Sequence, residues 1–395
     1  MFDVIVVGAR CAGSPTAMLL ARAGYRVLLL DRSEHGTDTL STHVIHQPGV
    51  AALGRWGLLD RIRATGCPPI DKVLYQVADI RLEGCSGGVD GHHAAYAPRR
   101  YLLDPVLADA AAEAGVEYRS RCTVTGLLRD ENGRVQGVRA RHEGREFTER
   151  ARLLIGADGM RSTVASLCGA PIVQETPRLT CAYYSYWDHE SSRLELHERP
   201  GGWVAAVPTN DRTTLVLAYF PQSSFEDVRA DAERSYLEQI RVTAPGLYEV
   251  LRGKSRTERL RGTGHQRNFF RQATGPGWAL VGDAGHHKDS ITARGITDAF
   301  LQAECLTGHV EDALGEGGQP RLDEALAAYS GDRDNLMSES YSAALSAARL
   351  EIHPKRLSLL RAVQSDPGLT STYFDIFAGI RPATALYTPQ LLARL

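Results

Sequence analysis

The chain opens on Phe2 to Val7, a short β-branched apolar run that stops at Gly8, the pattern of a strand buried on both faces. From Gly13 to Ala23 the apolar positions switch to helical spacing, with Ala17, Leu20, Ala21 and Gly24 near one face. Pro15 falls in the first turn, where a missing N–H costs nothing, and Gly24 is a natural stop. Tyr25 to Leu30 (YRVLLL) predicts a second strand, closed by Asp31. Strand, helix and strand within about 30 residues make a βαβ unit.

The same reading continues along the chain. Pro48 to Ile62 is patterned as an amphipathic helix, and residues 71–98 hold alternating segments that resemble antiparallel strands. Asp104 to Ala114 predicts a helix closed by Gly115. Two strands are expected around the turn Glu131-Asn132-Gly133, and ARLLI (151–155) predicts a buried strand ending in Gly156-Ala157-Asp158-Gly159. Between about 175 and 270 the texture becomes alternating (LTCAYYSYW, RLELHE, WVAAVP, TTLVLAYF), which predicts an antiparallel sheet interrupted by one helix near Phe225–Ile240. WALVGDAG restores the strand pattern, helical spacing resumes at Ala293, and the tail from about 320 is mostly helical. With no repeat and no low-complexity linker, the pattern describes a β-rich insert inside one α/β domain.

Composition narrows the classes. The 395 residues are 43% hydrophobic and 23% charged, with net charge −2, which excludes disordered, collagen-like and membrane-spanning chains. No basic stripe points to nucleic acid. The 7 cysteines form no CxxC pair, so they read as reduced thiols and not as disulfides or a metal site. Lysines occur only at Lys72, Lys254, Lys288 and Lys355, which leaves few candidates for lysine chemistry. No apolar stretch approaches bilayer length and no basic segment precedes the opening run, so a cytoplasmic protein is expected.

The first chemical motif is Gly8-Ala9-Arg10-Cys11-Ala12-Gly13, placed between strand and helix where a GxGxxG dinucleotide fingerprint belongs. Gly8 permits the tight turn and Gly13 permits close packing of helix on strand, so that helix N–H groups face a pyrophosphate. Arg10 stands where the middle glycine would let the phosphate approach. Asp31 ends the second strand and is placed to accept hydrogen bonds from ribose hydroxyls, with Arg32 beside it to stack or pair. These residues leave NAD and FAD open.

Two further motifs, GADGMRS at 156–162 and GDAGH at 282–286, follow the fingerprint. With all three in this order and separation, the chain resembles the class A flavoprotein monooxygenases, a group that extends to flavin halogenases and geranylgeranyl-reductase-like proteins. The resemblance runs over most of residues 1–345. It implies an α/β fold: a Rossmann-type FAD-binding domain of the glutathione-reductase-like kind, a β-rich (α+β) substrate domain and a helical C-terminal tail. The corresponding division is 1–70, 99–172 and 273–315 for FAD, 71–98 and 173–272 for substrate, and 316–395 for the tail.

By the same resemblance, Gly282 and Asp283 hold the ribityl chain, and Gly295 and Ile296 begin a helix that faces the flavin pyrimidine. Arg100, in RYLLDPVL, contacts FAD, as do Gln47 and Asp158. Two departures stand out. Ala165 follows Ser162 where an arginine is usual, which weakens a nicotinamide-docking role for that motif. Asp289, Ser290 and Thr292 occupy a loop usually rich in proline and glycine.

The catalytic candidates are the polar loop residues His286, His287 and Asp289, as proton donors or substrate contacts near the flavin; the competing reading is ordinary loop capping. Ser41, His43, Tyr184, Tyr186 and Trp203 are candidate substrate contacts, against a reading as plain sheet packing. No metal site is expected. Gly84-Cys85-Ser86-Gly87-Gly88 spells GxSxG without the following helix a nucleophile elbow needs. Gly253-Lys254-Ser255 lacks the upstream glycine of a P-loop. Ala205 stands where halogenases carry a second tryptophan, which argues against halogenation.

The function so implied is FAD-dependent monooxygenation of a small aromatic or polyketide-like molecule, through a C4a-(hydro)peroxide, with molecular oxygen as co-substrate and NAD(P)H as transient electron donor. The alternatives are a flavin dehydrogenase or reductase acting on a double bond, and a flavin-scaffolded cyclase or binding protein without redox turnover.

Overall fold

A computed structural model describes residues 1–34, 39–315, 318–392 and 394. The opening βαβ unit forms as its pattern predicts: strand Phe2–Val7, helix Gly13–Arg22 and strand Val27–Leu30. Five strands lie parallel in the order Trp278–Leu280, Arg145–Gly156, Phe2–Val7, Val27–Leu30 and Glu117–Arg119. All four positions of Val27–Leu30 are buried, as expected of a parallel strand covered on both faces.

One face of this sheet packs Val4, Val6, Leu29 and Ile155 against helices Gly13–Arg22, Arg100–Glu113 and Gly295–Gly315. The other face, with Ile5, Leu28, Leu30 and Leu154, is covered by an antiparallel meander (Cys122–Arg129, Val135–His142 and the first half of Arg145–Gly156) and helix Thr163–Cys168.

The alternating region folds into a seven-stranded sheet, in the order 261–263, 180–187, 214–221, 202–208, 194–199, 73–77 and 80–84. Its rear face is closed by helices Ala232–Thr243 and Pro245–Leu251, which bury Tyr236 and Ile240 against Val204 and Val216. Its front face carries Tyr184, Tyr186, Leu196, Trp203, Ala205 and Leu217.

The tail is divided between the two sheets. Helix Gly318–Ala348 buries Leu322, Leu326 and Tyr329 in the core that holds helix Gly295–Gly315. Helices Pro354–Gln364 and Pro367–Ala378 pack on the front face of the seven-stranded sheet through Leu360, Val363 and Phe374. Glu198 (1% exposed) anchors this packing: Arg356 donates to both its oxygens at 2.6 and 2.8 Å, and the Tyr75 hydroxyl donates at 2.5 Å.

Several boundaries differ from the sequence reading. Pro48–Ile62 is two helices, Gln47–Arg55 and Leu59–Ala64, because Gly57 between them has φ +74°. The helix near 225–240 is broken at Asp231, whose carboxylate accepts the Arg234 N–H and starts a new helix at Ala232. Within 71–98, strands Val73–Val77 and Ile80–Gly84 join the seven-stranded sheet, whereas Ala95–Tyr96 pairs with Pro69–Ile70. Residues 85–88 form a loop after strand Ile80–Gly84, with no helix following. Among the described residues, no helix is long and apolar enough to cross a membrane, and no group of three metal-ligating side chains is brought together.

Candidate cofactor and substrate site

The fingerprint turn is built around two bare α-carbons. Gly8 has φ +105°, and a Cβ there would stand 2.4 Å from the Ala157 carbonyl oxygen. A Cβ on Gly13 would stand 1.7 Å from the Gly8 oxygen. Asp31 closes the turn by accepting the N–H groups of Ala9 and Ser33, both at 2.7 Å, one on each carboxylate oxygen. Each oxygen keeps a lone pair for a ribose hydroxyl. Arg32 is exposed at the same strand end.

Gly282 meets this turn from far along the chain. It has φ +62°, and a Cβ on it would lie 2.8 Å from the Ala12 Cβ. Its N–H donates to Gln302 Oε1 at 2.9 Å, and Asp283 stands exposed on the rim. Arg10, in the position of the missing glycine, pairs with Asp104 at 3.7 Å, and Arg100 pairs with the same carboxylate at 2.9 and 3.1 Å. The Cys11 thiol, pushed up to about 12 chiefly by burial, lies 3.6 Å from Asp104 as a neutral donor.

Two helix N-termini open here, the first without a side-chain cap. Helix Gly13–Arg22 starts at Ala12, and a Cβ on Gly295 would meet nothing within 4 Å. Such termini, with two arginines alongside, suit a pyrophosphate and an electron-rich ring edge. Ile296 is buried behind Gly295. Gln47 is buried, donates to the His93 carbonyl at 3.0 Å, and leaves its Oε1 without a partner. These features fit a dinucleotide.

Asp158 bonds the helix that follows it. It accepts the N–H groups of Thr163 and Val164 at 2.6 and 3.1 Å and so caps helix Thr163–Cys168, while neighbouring Ala157 backs the fingerprint glycines.

The histidines of the following loop pair with a neighbouring strand. His286 and His287 form a short strand on Phe269–Phe270. The His286 ring lies 4.4 Å from Phe270 and 5.7 Å from Tyr341, neutral because burial and then Lys288 hold it well below the ordinary histidine range. His287 stacks on Phe269 at 6.1 Å and bonds the Arg267 carbonyl. Asp289 is buried where the loop meets the seven-stranded sheet, accepting Thr180 Oγ1 at 2.7 Å and the Ile291 N–H at 3.1 Å. Ser290 Oγ lies 3.0 Å from the Tyr219 hydroxyl.

The same stretch holds an ion cluster of which sequence reasoning had marked only Lys288, as part of the polar loop with His286, His287 and Asp289. Lys288 is buried against Asp298, in the first turn of helix Gly295–Gly315, and Arg294 reaches the same carboxylate at 3.6 Å. The signal available was a lysine two residues past His286 in a chain with four lysines.

Four candidate substrate residues form one patch. His43 is buried with φ +63°, its N–H bonded to Ser41 Oγ at 3.0 Å and its Nε2 2.5 Å from the Tyr186 hydroxyl. The Arg99 guanidinium lies 3.6 Å over the Tyr186 ring, and Tyr184 meets that ring edge-on at 6.0 Å. Trp203 lies apart, beside Tyr75 at 6.1 Å, with its indole N–H unpartnered. A narrow cavity lies between loop residues Ile291 and Ala293, sheet residues Leu196, Ala205 and Leu217, and Phe377 from the tail. His46 lies at its edge, 5.6 Å from Phe377, and burial followed by Arg294 takes its imidazole down to about 3.

A glycine turn, a strand-end acid, two open helix ends and a distant glycine-aspartate pair define a dinucleotide-binding flavoprotein. The comparisons agree. The chain belongs to the family described as FAD binding domain, which matches residues 1–338; FAD is its cofactor and it is an FAD-dependent oxidoreductase. It is 28% identical to a digeranylgeranylglycerophospholipid reductase of Methanocella arvoryzae, over 86% of this chain and 84% of that protein. It is 26% identical to the 6-methylpretetramide 4-monooxygenase of Streptomyces rimosus, over 97% and 88%. Among solved structures, the flavin-dependent brominase Bmp2 superposes with TM-score 0.81 at 16% identity, covering 100% of this chain and 97% of that one. PqsL of Pseudomonas aeruginosa does so with TM-score 0.75 at 20% identity, covering 95% and 99%.

Proposed function

We propose that the chain is an FAD-dependent monooxygenase that inserts one atom of molecular oxygen into a small, largely apolar organic molecule of the aromatic or polyketide kind, with NAD(P)H as a visiting electron donor. The observation that carries this reading is the narrow, mostly apolar gap where the loop residues Ile291 and Ala293 meet the front face of the seven-stranded sheet and Phe377. The loop that follows the Gly282-Asp283 pair forms its floor. The similarity to a 6-methylpretetramide 4-monooxygenase over nearly the whole chain supports the same reading.

In this reading the cofactor domain is a Rossmann domain of the glutathione-reductase-like kind, made of residues 1–70, 99–172 and 273–315. Residues 71–98 and 173–272 make the substrate domain, and 316–395 make a C-terminal helical region whose later helices wall the substrate sheet. The protein works in the cytoplasm. Gly8, Gly13, Arg10 and Arg100 hold the pyrophosphate, Asp31 the adenosine ribose, Asp283 the ribityl chain, and Gly295 with Ile296 the ring. FAD, when bound, supplies the redox and oxygen chemistry. The protein excludes water through Val44, Leu217 and Phe377, and Asp289, its carboxyl pushed up to about 6 by burial, lies at the floor of the substrate sheet. His43 and Tyr186 share a hydrogen bond at the seam, one residue from Arg100 through the Arg99 contact, and orient a polar substrate group there.

A second reading, reduction of a carbon–carbon double bond, is favoured by the aliphatic lining of the cavity and by the reductase relatives. One experiment separates them. Purified yellow enzyme is given NAD(P)H and a panel of aromatic, polyketide and polyene compounds under oxygen-18 gas. Label in the product supports oxygenation, and unlabelled product formed in anaerobic buffer overturns it in favour of reduction.

A further inference from the structure

A second cavity, of about 210 Å³, lies at the edge of the parallel sheet opposite the nucleotide cradle. Phe2 pairs with Ala151 at this edge, and Val7 pairs with Gly156 at the cradle edge. The strand run from Ala151 to Gly156 spans about 17 Å, so the cavity is separate from the cofactor and substrate sites. Val135, Ala151 and Leu322 line it with apolar surface, and Arg134, Arg150 and Arg152 complete the lining. Arg150 and Arg152 share one side of strand Arg145–Gly156 by its period of two. Arg150 stands opposite Gly137, which brings Arg134 and Gln136 alongside.

The three guanidinium groups are not matched by carboxylates. Arg134 Nη1 donates to both oxygens of Asp323 at 2.8 Å, and this is the only ion pair they form among the described residues. Arg150 donates to the neutral Gln136 amide at 3.0 Å, and Arg152 donates to the Leu314 carbonyl at the end of helix Gly295–Gly315. Asp130 is taken up by the N–H groups of Asn132 and Arg134 and by the Gln136 amide. The Arg134 side chain is 8% exposed, and its Nη2 is buried with no partner. Buried donors normally find acceptors, and a guanidinium fork matches the paired oxygens of a carboxylate or phosphate. Helix Gly318–Ala348 also starts at this cavity, through Gly318 and Gln319, and its first turn adds partial positive charge.

We propose that this cavity binds a small organic anion, with a carboxylate or phosphate head held by Arg134, Arg150 and Arg152 and an apolar body laid on Val135, Ala151 and Leu322. The apolar share of the lining favours such a molecule over a bare inorganic ion. A volume below the roughly 300 Å³ of drug-sized pockets limits the occupant to a single ring or a short chain. The site stands whichever reaction the flavin carries out.

Calorimetric titration of the FAD-saturated protein tests this, with the cradle already filled so that no phosphate enters it. The probes are phenyl phosphate and benzoate, with benzyl alcohol as the neutral analogue. Saturable binding of at least one anion with Kd below about 1 mM is expected, with no change in the flavin absorption spectrum and no binding of benzyl alcohol. The tighter of the two anions identifies the head group. Arg150→Gln and Arg152→Met are each expected to weaken that binding about tenfold, the worth of one charge-assisted hydrogen bond, with FAD content unchanged. Arg150 is exposed, so its variant keeps the test open should Arg152→Met fail to fold. Absence of saturable binding below about 10 mM overturns the proposal. So do equal binding of benzyl alcohol, affinities within about twofold of wild type in both variants, or binding that shifts the flavin spectrum and so belongs to the substrate site.

Discussion

Asp289 gives the sharpest test of how the two sheets meet. Burial pushes its carboxyl from the ordinary 3.8 up to about 6, against hydrogen bonds from Thr180 Oγ1 and the Ile291 N–H that favour the charged form. Below 3.8 the folded and unfolded chains both hold the proton. Between 3.8 and about 6 only the folded chain holds it, and above that the folded chain carries a buried charge. The stability contributed by the neutral carboxyl is thus complete at the acid end of this window and lost as pH rises through the folded value. At about 1.36 kcal/mol per pH unit the loss is about 3 kcal/mol. Asp289→Asn preserves shape and the acceptor for Ile291, and it removes the titration. Urea midpoints of FAD-loaded wild type and Asp289→Asn, taken from acid to neutral pH, are expected to show wild type losing about 3 kcal/mol relative to the variant. A difference constant to within roughly 0.5 kcal/mol across that window refutes the burial of Asp289 as a proton-holding group.

Three further outcomes follow from the geometry. Gly13→Ala places a methyl 1.7 Å from the Gly8 carbonyl oxygen, so the turn must open, and the flavin-to-protein absorbance ratio is expected to fall at least about tenfold. Asp283→Ala removes the proposed ribityl partner, and FAD affinity measured by fluorescence titration is expected to drop about tenfold; full flavin retention contradicts the mapping of the rim. Arg356→Met leaves Glu198 with only the Tyr75 hydroxyl. The expected cost is on the order of 3 kcal/mol, with early proteolytic cleavage in residues 354–392, and an unchanged digestion pattern excludes the anchoring role.

Local rules made much of the cradle legible before any coordinates. Gly8 and Gly13 are demanded by backbone clearance, Asp31 by its place at a strand end, and Gly282 by its distance from Ala12; each leaves a trace in residue type alone. The strands and their burial were equally plain, because a parallel strand covered on both faces has no polar period.

What stayed hidden depends on pairing. His286 and His287 have no sequence mark that sends them onto Phe269–Phe270, since a two-residue strand has no periodicity to read. The breaks at Gly57 and Asp231 lie inside otherwise helical patterns, where one φ angle or one side-chain cap decides. The docking of Phe377 into the cavity wall is a contact between segments far apart in the chain, and helical spacing near 370 says nothing of what the helix covers. Lys288 and Asp298 look like ordinary loop and helix residues until the fold removes water from both.

The meeting of Gly282 with Ala12 has a consequence for how the protein is made. A ribosome must release nearly three quarters of the chain before both halves of the nucleotide grip exist, and Phe377 emerges later still. The nucleotide grip is therefore completed only once residue 282 has emerged, after the opening βαβ unit has had time to form, and Phe377 reaches the cavity wall after that.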